Sequence, residues 1–215
     1  VAFLKYKNSF IIAEAGVNHN GELRKAFELV DIAIDCKADA IKFQTFKASE
    51  ITTRYNKNLE YVDNDDKTSN YDIINKLSLR FEDFKKINEY CKMKGILFLS
   101  TPDGTESLNY LTDKLDVPII KIGSTEITNI EYLNEIAKKN KPLILSTGLS
   151  SLEEVKKAFN SIKKHNKKEI CVLHCTSEYP APINEINIKA MLTIKKELNC
   201  SVGFSDHSIG NEASI

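Results

Sequence analysis

The stretch Val202-Gly203-Phe204-Ser205-Asp206-His207-Ser208 decides how the rest of the chain is interpreted. It opens as a short apolar run, and a hydroxyl, a carboxylate, an imidazole and a second hydroxyl follow without a gap. In chains that alternate strands and helices, reactive groups gather where the strands end. The stretch therefore predicts a functional site at the carboxyl ends of a set of strands, of which this one is the last.

Seven short apolar runs along the chain predict strands. Most of them are continuous rather than alternating, which is typical of a parallel sheet covered on both faces. The predicted strands are Ser9–Ala13, Ala40–Phe46, Ile96–Leu99, Pro118–Ile122, Pro142–Leu145, Ile170–His174 and Ser201–Phe204.

Two architectures contain such a sheet, a doubly wound open sheet and a (β/α)8 TIM barrel. The segment after the first predicted strand, Ala15-Gly-Val-Asn-His-Asn-Gly21, is not the GxGxxG turn that an open sheet uses for a nucleotide. The barrel is therefore favoured, although seven strands would leave two edges unpaired. We expect residues 1–215 to be one barrel domain, incomplete at its carboxyl end, from the front part of a longer polypeptide.

The segments between the strands predict six helices and one long loop. Apolar residues at helical spacing mark the helices, Gly95 is expected to end one of them, and Ser151-Leu-Glu-Glu154 predicts a capping box. Lys47–Leu79 is predicted to be a polar loop with one helical turn near Tyr71–Leu77. Loops of this length often serve as lids or binding segments. The loop is rich in asparagine, with Asn56, Asn58, Asn64 and Asn70.

Composition excludes some classes of function. Thirty lysines and arginines balance thirty aspartates and glutamates among 215 residues, which argues against a general nucleic-acid or anionic-membrane surface. No apolar run approaches the length of a membrane span. The five cysteines form an odd count without a CxxC pair, so reduced thiols in a cytoplasmic protein are expected.

Every predicted strand is followed by polar residues, and together they have a chemical character. Two lysines, many small hydroxyls and nearby glycines suit a ligand with a phosphate and a carboxylate. The acidic residues and the histidine could bind Mn²⁺, Mg²⁺ or Zn²⁺ or move protons. Each residue alone has an ordinary explanation: a lysine at a strand end is often ion-paired, and His174 fits a hydrogen-bonded core position. The set includes Glu14, Lys42, Gln44, Ser100, Thr101, Lys121, Ser124, Ser146, His174, Ser177, Tyr179, Ser205, Asp206 and His207.

Seven motifs resemble the bacterial sialic acid synthases, the group of N-acetylneuraminate synthase and N,N'-diacetyllegionaminate synthase. They occur in the family's order along the whole chain. The motifs are AEAGVNHNG (13–21), KFQTFKA (42–48), STP (100–102), KIGSTEITN (121–129), ILSTG (144–148), LHCTSEYPAP (173–182) and VGFSDHS (202–208).

The resemblance implies a (β/α)8 barrel that condenses phosphoenolpyruvate with an N-acetylated hexosamine and releases phosphate. It also implies activation of the sugar aldehyde by Mn²⁺ or Mg²⁺. Family members are homodimers with a small C-terminal antifreeze-like domain that reaches the partner's site. These features are expectations for this protein.

The resemblance also implies roles for single residues. Glu14 would be the catalytic carboxylate and His207 a metal ligand, with Asp206 supporting the metal or phosphate region. Gln44, Ser177 and Tyr179 would lie near the sugar. The contacts with phosphoenolpyruvate would come from Lys42, Thr101, Lys121, Ser124, Ser146 and Ser205.

The chain departs from the family pattern in three ways. Thr125 stands where many relatives have glycine, and a β-branched residue resists positive φ, so the turn beside Ser124 is expected to differ. The family's second metal histidine, last strand and antifreeze-like domain would lie beyond Ile215. The family's sugar-binding asparagine has no match in Lys47–Leu79.

Two alternatives stay open. One is a related phosphoenolpyruvate aldolase with another acceptor, such as the precursor of pseudaminic acid, although AEAGVNHNG and KFQTF favour the neuraminate or legionaminate group. The other is a non-catalytic barrel that binds a sugar phosphate.

Overall fold

The computed structural model describes residues 9–54 and 69–215. Within these ranges the chain forms two compact units, residues 9–117 and residues 118–215, which we call the first and the second unit. The asparagines Asn56, Asn58 and Asn64 of the predicted loop lie outside the described residues.

The first unit is a three-stranded parallel sheet in the order β1-β2-β3, with helices between the strands. Strand β2 is buried along almost its whole length, as its continuous apolar run predicts. The elements are β1 Ile12–Gly16, α1 Leu23–Asp35, β2 Ala40–Phe46, α2 Ala48–Ile51, α3 Asn70–Leu77, α4 Phe81–Lys94, β3 Leu97–Asp103 and α5 Thr105–Asn109, which continues as a π-helical turn over Tyr110–Lys114.

The second unit is a four-stranded parallel sheet in the order β4-β5-β6-β7. Strand β5 is fully buried, whereas β7 is half-exposed along its length. The elements are β4 Ile120–Ile122, a 3₁₀ turn Ser124–Glu126, α6 Ile130–Lys138, β5 Leu143–Ser146, α7 Leu152–His165, β6 Ile170–Cys175, a 3₁₀ turn Ile183–Glu185, α8 Ala190–Leu198 and β7 Ser201–Ser205.

The predicted class, α/β with parallel strands, is confirmed in both units. The two helix-end signals are also confirmed. Gly95 ends α4 with a left-handed φ of 81°, and Ser151 and Glu154 form both bonds of a capping box at the start of α7. Local signals of this kind depend on neighbouring residues alone, so the sequence carries them completely.

Several predicted strand boundaries were wrong by one to four residues. Strand β1 runs from Ile12 to Gly16, so Glu14 lies inside the strand instead of after it. Strand β3 continues to Asp103 because each of its residues pairs with β2, up to the pair Phe46 and Asp103. The prolines Pro118 and Pro142 precede β4 and β5, whose ladder begins at Ile120 and Leu143.

The predicted loop Lys47–Leu79 is interrupted by helices at both described ends. Ser69 accepts a hydrogen bond from the Asp72 backbone and so begins α3, which is longer than the single predicted turn. At the other end, Glu50 of α2 accepts a hydrogen bond from the Glu106 backbone at the start of α5, 2.9 Å away. This contact between residues far apart in sequence stabilises α2, and no local pattern could reveal it.

Candidate functional site

Four polar side chains lie on one face of the sheet in the first unit. Glu14 lies opposite Lys42 in the ladder of β1 and β2, and Gln44 lies opposite Thr101 in the ladder of β2 and β3. Because side chains alternate along a strand, Lys42 and Gln44 share a face, as predicted. We call Glu14, Lys42, Gln44 and Thr101 the lysine–glutamate cluster.

Lys42 is the centre of this cluster. Its ammonium lies 2.5 Å from the Glu14 carboxylate and 3.5 Å from the Thr101 hydroxyl. Lys42 is buried, while the side chain of Glu14 is 54% exposed. A buried ammonium is stabilised by an opposite charge, which Glu14 supplies here. An anionic ligand that contacted Lys42 would lie beside this carboxylate.

The opposite face of the same sheet is structural. The hydroxyls of Thr45 and Ser100 form a buried hydrogen bond of 2.7 Å, and the rings of Phe43 and Phe98 stack at 5.9 Å. Ser100 was included among the polar residues at strand ends, but it lies on the face away from Thr101. Its partner is therefore another side chain of the core.

A second set of polar side chains lies on one face of the sheet in the second unit. The strand registers place Lys121 opposite Ile144, and they place Cys175 opposite Ser205. Alternation then puts Lys121, Ser146, Cys175 and Ser205 on one face. Lys121 is buried, and its ammonium donates to the Ser146 hydroxyl at 2.6 Å and to the Ile122 carbonyl at 3.1 Å.

Ser124 and Ser177 converge on Gly148, which follows β5. The Ser124 hydroxyl accepts a hydrogen bond of 2.9 Å from the Gly148 backbone and lies 3.3 Å from the Cys175 thiol. A Cβ on residue 148 would lie 1.9 Å from the Ser177 hydroxyl, so any other residue there would displace that hydroxyl. Thr125 takes part in the 3₁₀ turn beside Ser124, a conformation with negative φ that suits a β-branched residue.

His207 is held in one orientation by the loop that follows β6. Its Nδ1 lies 2.6 Å from the Thr176 carbonyl, which can only accept, so Nδ1 carries the proton. Its Nε2 lies 3.3 Å from both the Tyr179 and the Ser205 hydroxyls, and the Tyr179 ring stacks on the imidazole at 4.2 Å. We call His207, Thr176, Tyr179 and Ser205 the histidine cluster.

This tautomer suits a metal ligand, because a ligating histidine normally donates its other ring N–H to a carbonyl or carboxylate. His207 therefore fits one position in the coordination shell of a divalent cation. Among residues 9–54 and 69–215, no group of three or more histidines, cysteines, aspartates and glutamates is arranged to hold a metal.

Asp206 is engaged in its own loop. One carboxylate oxygen accepts from the Ser208 backbone at 2.9 Å and from the Ser208 hydroxyl at 2.6 Å, and the other accepts from the Ser214 hydroxyl. Partial burial acts to raise the pKa of Asp206, but these hydrogen bonds outweigh it and hold the pKa below its ordinary value of 3.8. The carboxylate caps the loop after β7.

His174 and the cysteines mostly have the ordinary roles that the sequence favours. His174 Nε2 donates to the Ile186 carbonyl at 2.6 Å. All five cysteines are free thiols, and burial raises the pKa of Cys91 and Cys171 to about 12, which makes these two unreactive. Cys175 is different, because it lies on the same face as Ser205. Counting alternate positions along β6 could have found it.

His19 is one of the polar residues expected after the first strand, although the sequence reasoning gave it no role. It is 1% exposed, its Nδ1 accepts a hydrogen bond of 3.1 Å from the Gly21 backbone, and its buried Nε2 has no hydrogen-bond partner in the described chain. Burial lowers the pKa of His19 below its ordinary value of 6.5. The side chain is therefore a neutral imidazole in the turn after β1.

The second unit contains a cavity of about 850 Å³ at the ends of β5 and β6. Its wall includes Thr147, Leu149, His174, Ser177 and Lys189. The volume is in the range of small-molecule sites.

In the described ranges, no helix combines the length and the apolar character that crossing a membrane requires.

The chain is similar to a family of known proteins. The model of the NeuB family matches residues 29–215. The N,N'-diacetyllegionaminic acid synthase of Campylobacter jejuni is 46% identical over 97% of this chain and 64% of its own length, and that of Legionella pneumophila is 42% identical over 94% and 58%. The crystal structure of N-acetylneuraminic acid synthetase from Leptospira borgpetersenii, in complex with citrate, superposes with a TM-score of 0.84 at 35% identity, covering 96% of this chain and 67% of that one. The chain thus spans less than two thirds of the length of the two synthases.

Proposed function

The chain belongs to the NeuB family, and from this premise we propose that the protein condenses phosphoenolpyruvate with an N-acetylated hexosamine. The products would be a nine-carbon acid of the sialic type and phosphate. One observation carries the proposal: a buried lysine, Lys42, lies 2.5 Å from a half-exposed carboxylate, Glu14, on strands of a parallel sheet. This pair can hold an anionic substrate beside a group that stabilises positive charge.

We further propose that residues 1–215 belong to a (β/α)8 barrel. Support comes from the TM-score of 0.84 with the Leptospira synthetase and from the parallel pairing of all strands in both described units. In a barrel of this kind, the carboxyl ends of the strands carry the active site. The lysine–glutamate cluster and the face with Lys121 and Ser146 both lie in strands of these sheets.

Lysines and hydroxyls would bind phosphoenolpyruvate through its phosphate and carboxylate. Lys42 with Thr101 provides one ammonium–hydroxyl pair, and Lys121 with Ser146 provides another. Both lysines are buried, so each charge acts in a medium of low dielectric where it interacts strongly with an anion. Ser124 and Ser205 would add hydroxyl contacts to the same substrate.

The reaction forms a carbon–carbon bond and breaks a carbon–oxygen bond. The methylene carbon of phosphoenolpyruvate attacks the aldehyde carbon of the open-chain sugar, and the aldehyde oxygen takes up a proton. The carbon that bears the phosphate becomes cationic and adds water, and the resulting tetrahedral species expels phosphate to leave a ketone. The Glu14 carboxylate would stabilise the cation and orient the water that adds to it.

His207 would hold a divalent cation, Mn²⁺ or Mg²⁺, through Nε2. The hydrogen bond from Nδ1 to the Thr176 carbonyl presents the Nε2 lone pair, which supports this role. When bound, the cation supplies charge that polarises the sugar aldehyde. Gln44, Ser177 and Tyr179 would line the site near the sugar, and Asp206 would support the loop that carries His207.

The experiment is a phosphate-release assay on the natural full-length protein. It contains phosphoenolpyruvate, Mn²⁺ and either N-acetylmannosamine or a diacetylated trideoxyhexose. We expect phosphate release that depends on the sugar, with a new nine-carbon acid seen by mass spectrometry. Measurable binding of phosphoenolpyruvate without turnover of any hexosamine would instead support a non-catalytic binding protein.

The metal role has its own test. His207→Ala should weaken Mn²⁺ binding by more than about 10-fold, measured as free Mn²⁺ by electron paramagnetic resonance. His165→Ala is the matched control, because His165 is exposed at the end of α7. Equal Mn²⁺ titrations for the two variants would remove His207 from the metal site.

We also propose a cytoplasmic homodimer. Free thiols in all five cysteines support a reducing compartment. Light scattering of the full-length protein measures the oligomeric state directly, and a monomer at micromolar concentration would contradict the dimer.

A further inference from the structure

Strand β1 ends in a β-bulge immediately after Glu14. The ladder pairs Glu14 with Lys42 and Gly16 with the very next residue of β2, so Ala15 is an extra residue in β1. Strands β2 and β3 stay paired for three residues beyond this point. A bulge ends the pairing of a strand and re-aims a side chain, and bulges are common beside active sites. Here the bulge ends β1 just after the carboxylate that contacts Lys42.

Gly16 lets the Glu14 carboxylate lie close to the backbone. Its φ is 51°, in the left-handed region that favours glycine, and a Cβ on residue 16 would lie 3.3 Å from Glu14 Oε1. The other carboxylate oxygen, Oε2, lies 2.5 Å from the Lys42 ammonium. The carboxylate therefore lies between Gly16 on one side and Lys42 on the other.

The turn after the bulge leaves Gly16 little room to move away from an added methyl group. Three backbone hydrogen bonds of 2.9 Å close the turn over residues 15–22, and the Gly21 backbone donates to His19 Nδ1 at 3.1 Å. Gly21 also lies against α3, where a Cβ on residue 21 would come within 2.3 Å of the Lys76 carbonyl oxygen. The Glu14 side chain, by contrast, is 54% exposed. An alanine at residue 16 would therefore displace the carboxylate and not the turn.

We propose that Gly16 is a positioning residue, which through the bulge and the absence of a Cβ keeps the Glu14 carboxylate directed at its site beside Lys42. The inference rests on the proposed function, in which Glu14 stabilises a cation and orients the water that adds to it. Both tasks depend on direction, and a misplacement of about 1 Å can lower a rate by about 100-fold.

The first experiment is Gly16→Ala in the natural full-length protein. We expect kcat for phosphate release to fall by about 10–100-fold, because the carboxylate turns away from the reacting carbon. The Kd for phosphoenolpyruvate, measured by isothermal titration calorimetry, should stay within about 3-fold, because the lysines that would bind it keep their places. An unchanged kcat would overturn the inference.

Gly95→Ala is the matched control for backbone strain. Gly95 also has a left-handed φ, 81°, but in the described chain nothing lies within 4 Å of where its Cβ would be, apart from its own helix and adjoining residues. Both variants should lower the melting temperature, because alanine resists a positive φ, but only Gly16→Ala should lower kcat. Equal losses of kcat would mean that strain, and not contact with Glu14, is responsible.

Gly16→Asn separates strain from contact at the same position. Asparagine tolerates the left-handed region better than alanine does, yet it carries the same Cβ. The melting temperature should therefore recover relative to Gly16→Ala, while kcat stays at least about 10-fold below that of the unaltered protein. Recovery of kcat together with the melting temperature would overturn the inference.

A double-mutant cycle tests whether Gly16 acts through Glu14. In a Glu14→Gln background, Gly16→Ala should lower kcat further by less than about 2-fold, because the carboxylate that it would misplace is already gone. A full additional loss in that background would show that the effect does not pass through Glu14.

A crystal structure of the Gly16→Ala variant gives a result that does not depend on turnover. The distance from the Glu14 carboxylate to the Lys42 ammonium should increase from 2.5 Å to more than about 4 Å, the limit of an ion pair. An unchanged ion pair would overturn the inference whether or not the protein is active. If no hexosamine supports phosphate release by the unaltered protein, the proposed function fails, and this distance alone decides whether Gly16 positions Glu14.

Discussion

The lysine–glutamate cluster and the histidine cluster are built in different ways. In the first, Glu14, Lys42 and Thr101 stand within paired strands, and the ladder registers alone set their neighbours. In the second, only Ser205 stands within a strand, and His207 is oriented by the Thr176 carbonyl and the Tyr179 ring from another loop.

Because the two clusters are built differently, a substitution should have different consequences in each. A side chain on a paired strand can be replaced without moving its neighbours, because backbone hydrogen bonds keep the ladder in place. A side chain that joins two loops also holds those loops, so its removal changes position as well as chemistry. Substitutions in the lysine–glutamate cluster should therefore change activity more than stability. Substitutions in the histidine cluster should change both.

Glu14→Gln should have the largest effect. It keeps the shape of the side chain but removes the charge, so kcat should fall by about 10²–10⁴-fold while phosphoenolpyruvate still binds. Glutamine keeps an oxygen that can accept from the Lys42 ammonium, but the buried ammonium loses its opposite charge, so the melting temperature should fall modestly while kcat falls far more. Phosphate release and calorimetry measure the two quantities, and Glu28→Gln is the control because the Glu28 side chain is exposed on α1. Unchanged turnover would remove Glu14 from the mechanism.

Lys42→Met should weaken the binding of phosphoenolpyruvate. Methionine fills the same volume without the ammonium, and loss of a charge-assisted hydrogen bond corresponds to a rise in Kd of roughly 10–100-fold. Isothermal titration calorimetry measures the Kd, and Lys25→Met at the exposed pair with Glu22 is the control. Equal affinities in the two variants would mean that Lys42 serves only the fold.

Ser100→Ala tests the opposite face of the same sheet. It leaves the buried Thr45 hydroxyl without its partner, so the free energy of unfolding should fall by about 1–3 kcal/mol while kcat and KM stay unchanged. Replacing both residues, as Ser100→Ala with Thr45→Val, should recover part of the loss because neither polar group remains. Denaturant unfolding measures both. A fall in kcat would show that the two faces are coupled.

Asp206→Asn should have the smallest effect and a distinct pH dependence. The folded pKa of Asp206 is lowered, so its contribution to stability is present above the unfolded pKa, near 3.8, and is lost as pH falls through the folded value. At pH 7 we expect a loss of about 0.5–1 kcal/mol, limited by solvent screening. The difference from the unaltered protein should shrink as pH falls through the folded pKa of Asp206. A difference that persists below that pKa would mean that the carboxylate charge is irrelevant.

Local signals explain what could be predicted from the sequence. The alternation along β2 placed Lys42 and Gln44 on one face, and the capping box and Gly95 marked two helix ends. The position of Glu14 inside β1 was missed, because the ladder with β2 extends the strand past its apolar run. Ser100 and Thr101 both stood out as polar residues near the end of β3, and the sequence could not tell that they lie on opposite faces, since the face of a residue depends on the register with its neighbouring strand.

The contacts that involve loops could not be predicted from any short segment of sequence. Asp206 was expected to support the metal or phosphate region, and the sequence did not show that its carboxylate bonds to Ser208 and Ser214 of its own loop. The contact of Glu50 with the start of α5 joins residues 56 positions apart in sequence. Such contacts depend on how loops meet, and the sequence contains no period that encodes this.

The sequence by itself determined the alternation of parallel strands and helices, the side chains at the strand ends and the family, because hydrophobic periodicity and short motifs are local properties. The tertiary structure decided which of those side chains touch: Lys42 with Glu14, Lys121 with Ser146, and His207 with Thr176. The physical reason is that a hydrogen bond or an ion pair needs a separation of a few ångströms, and only the strand registers and loop packing set distances on that scale.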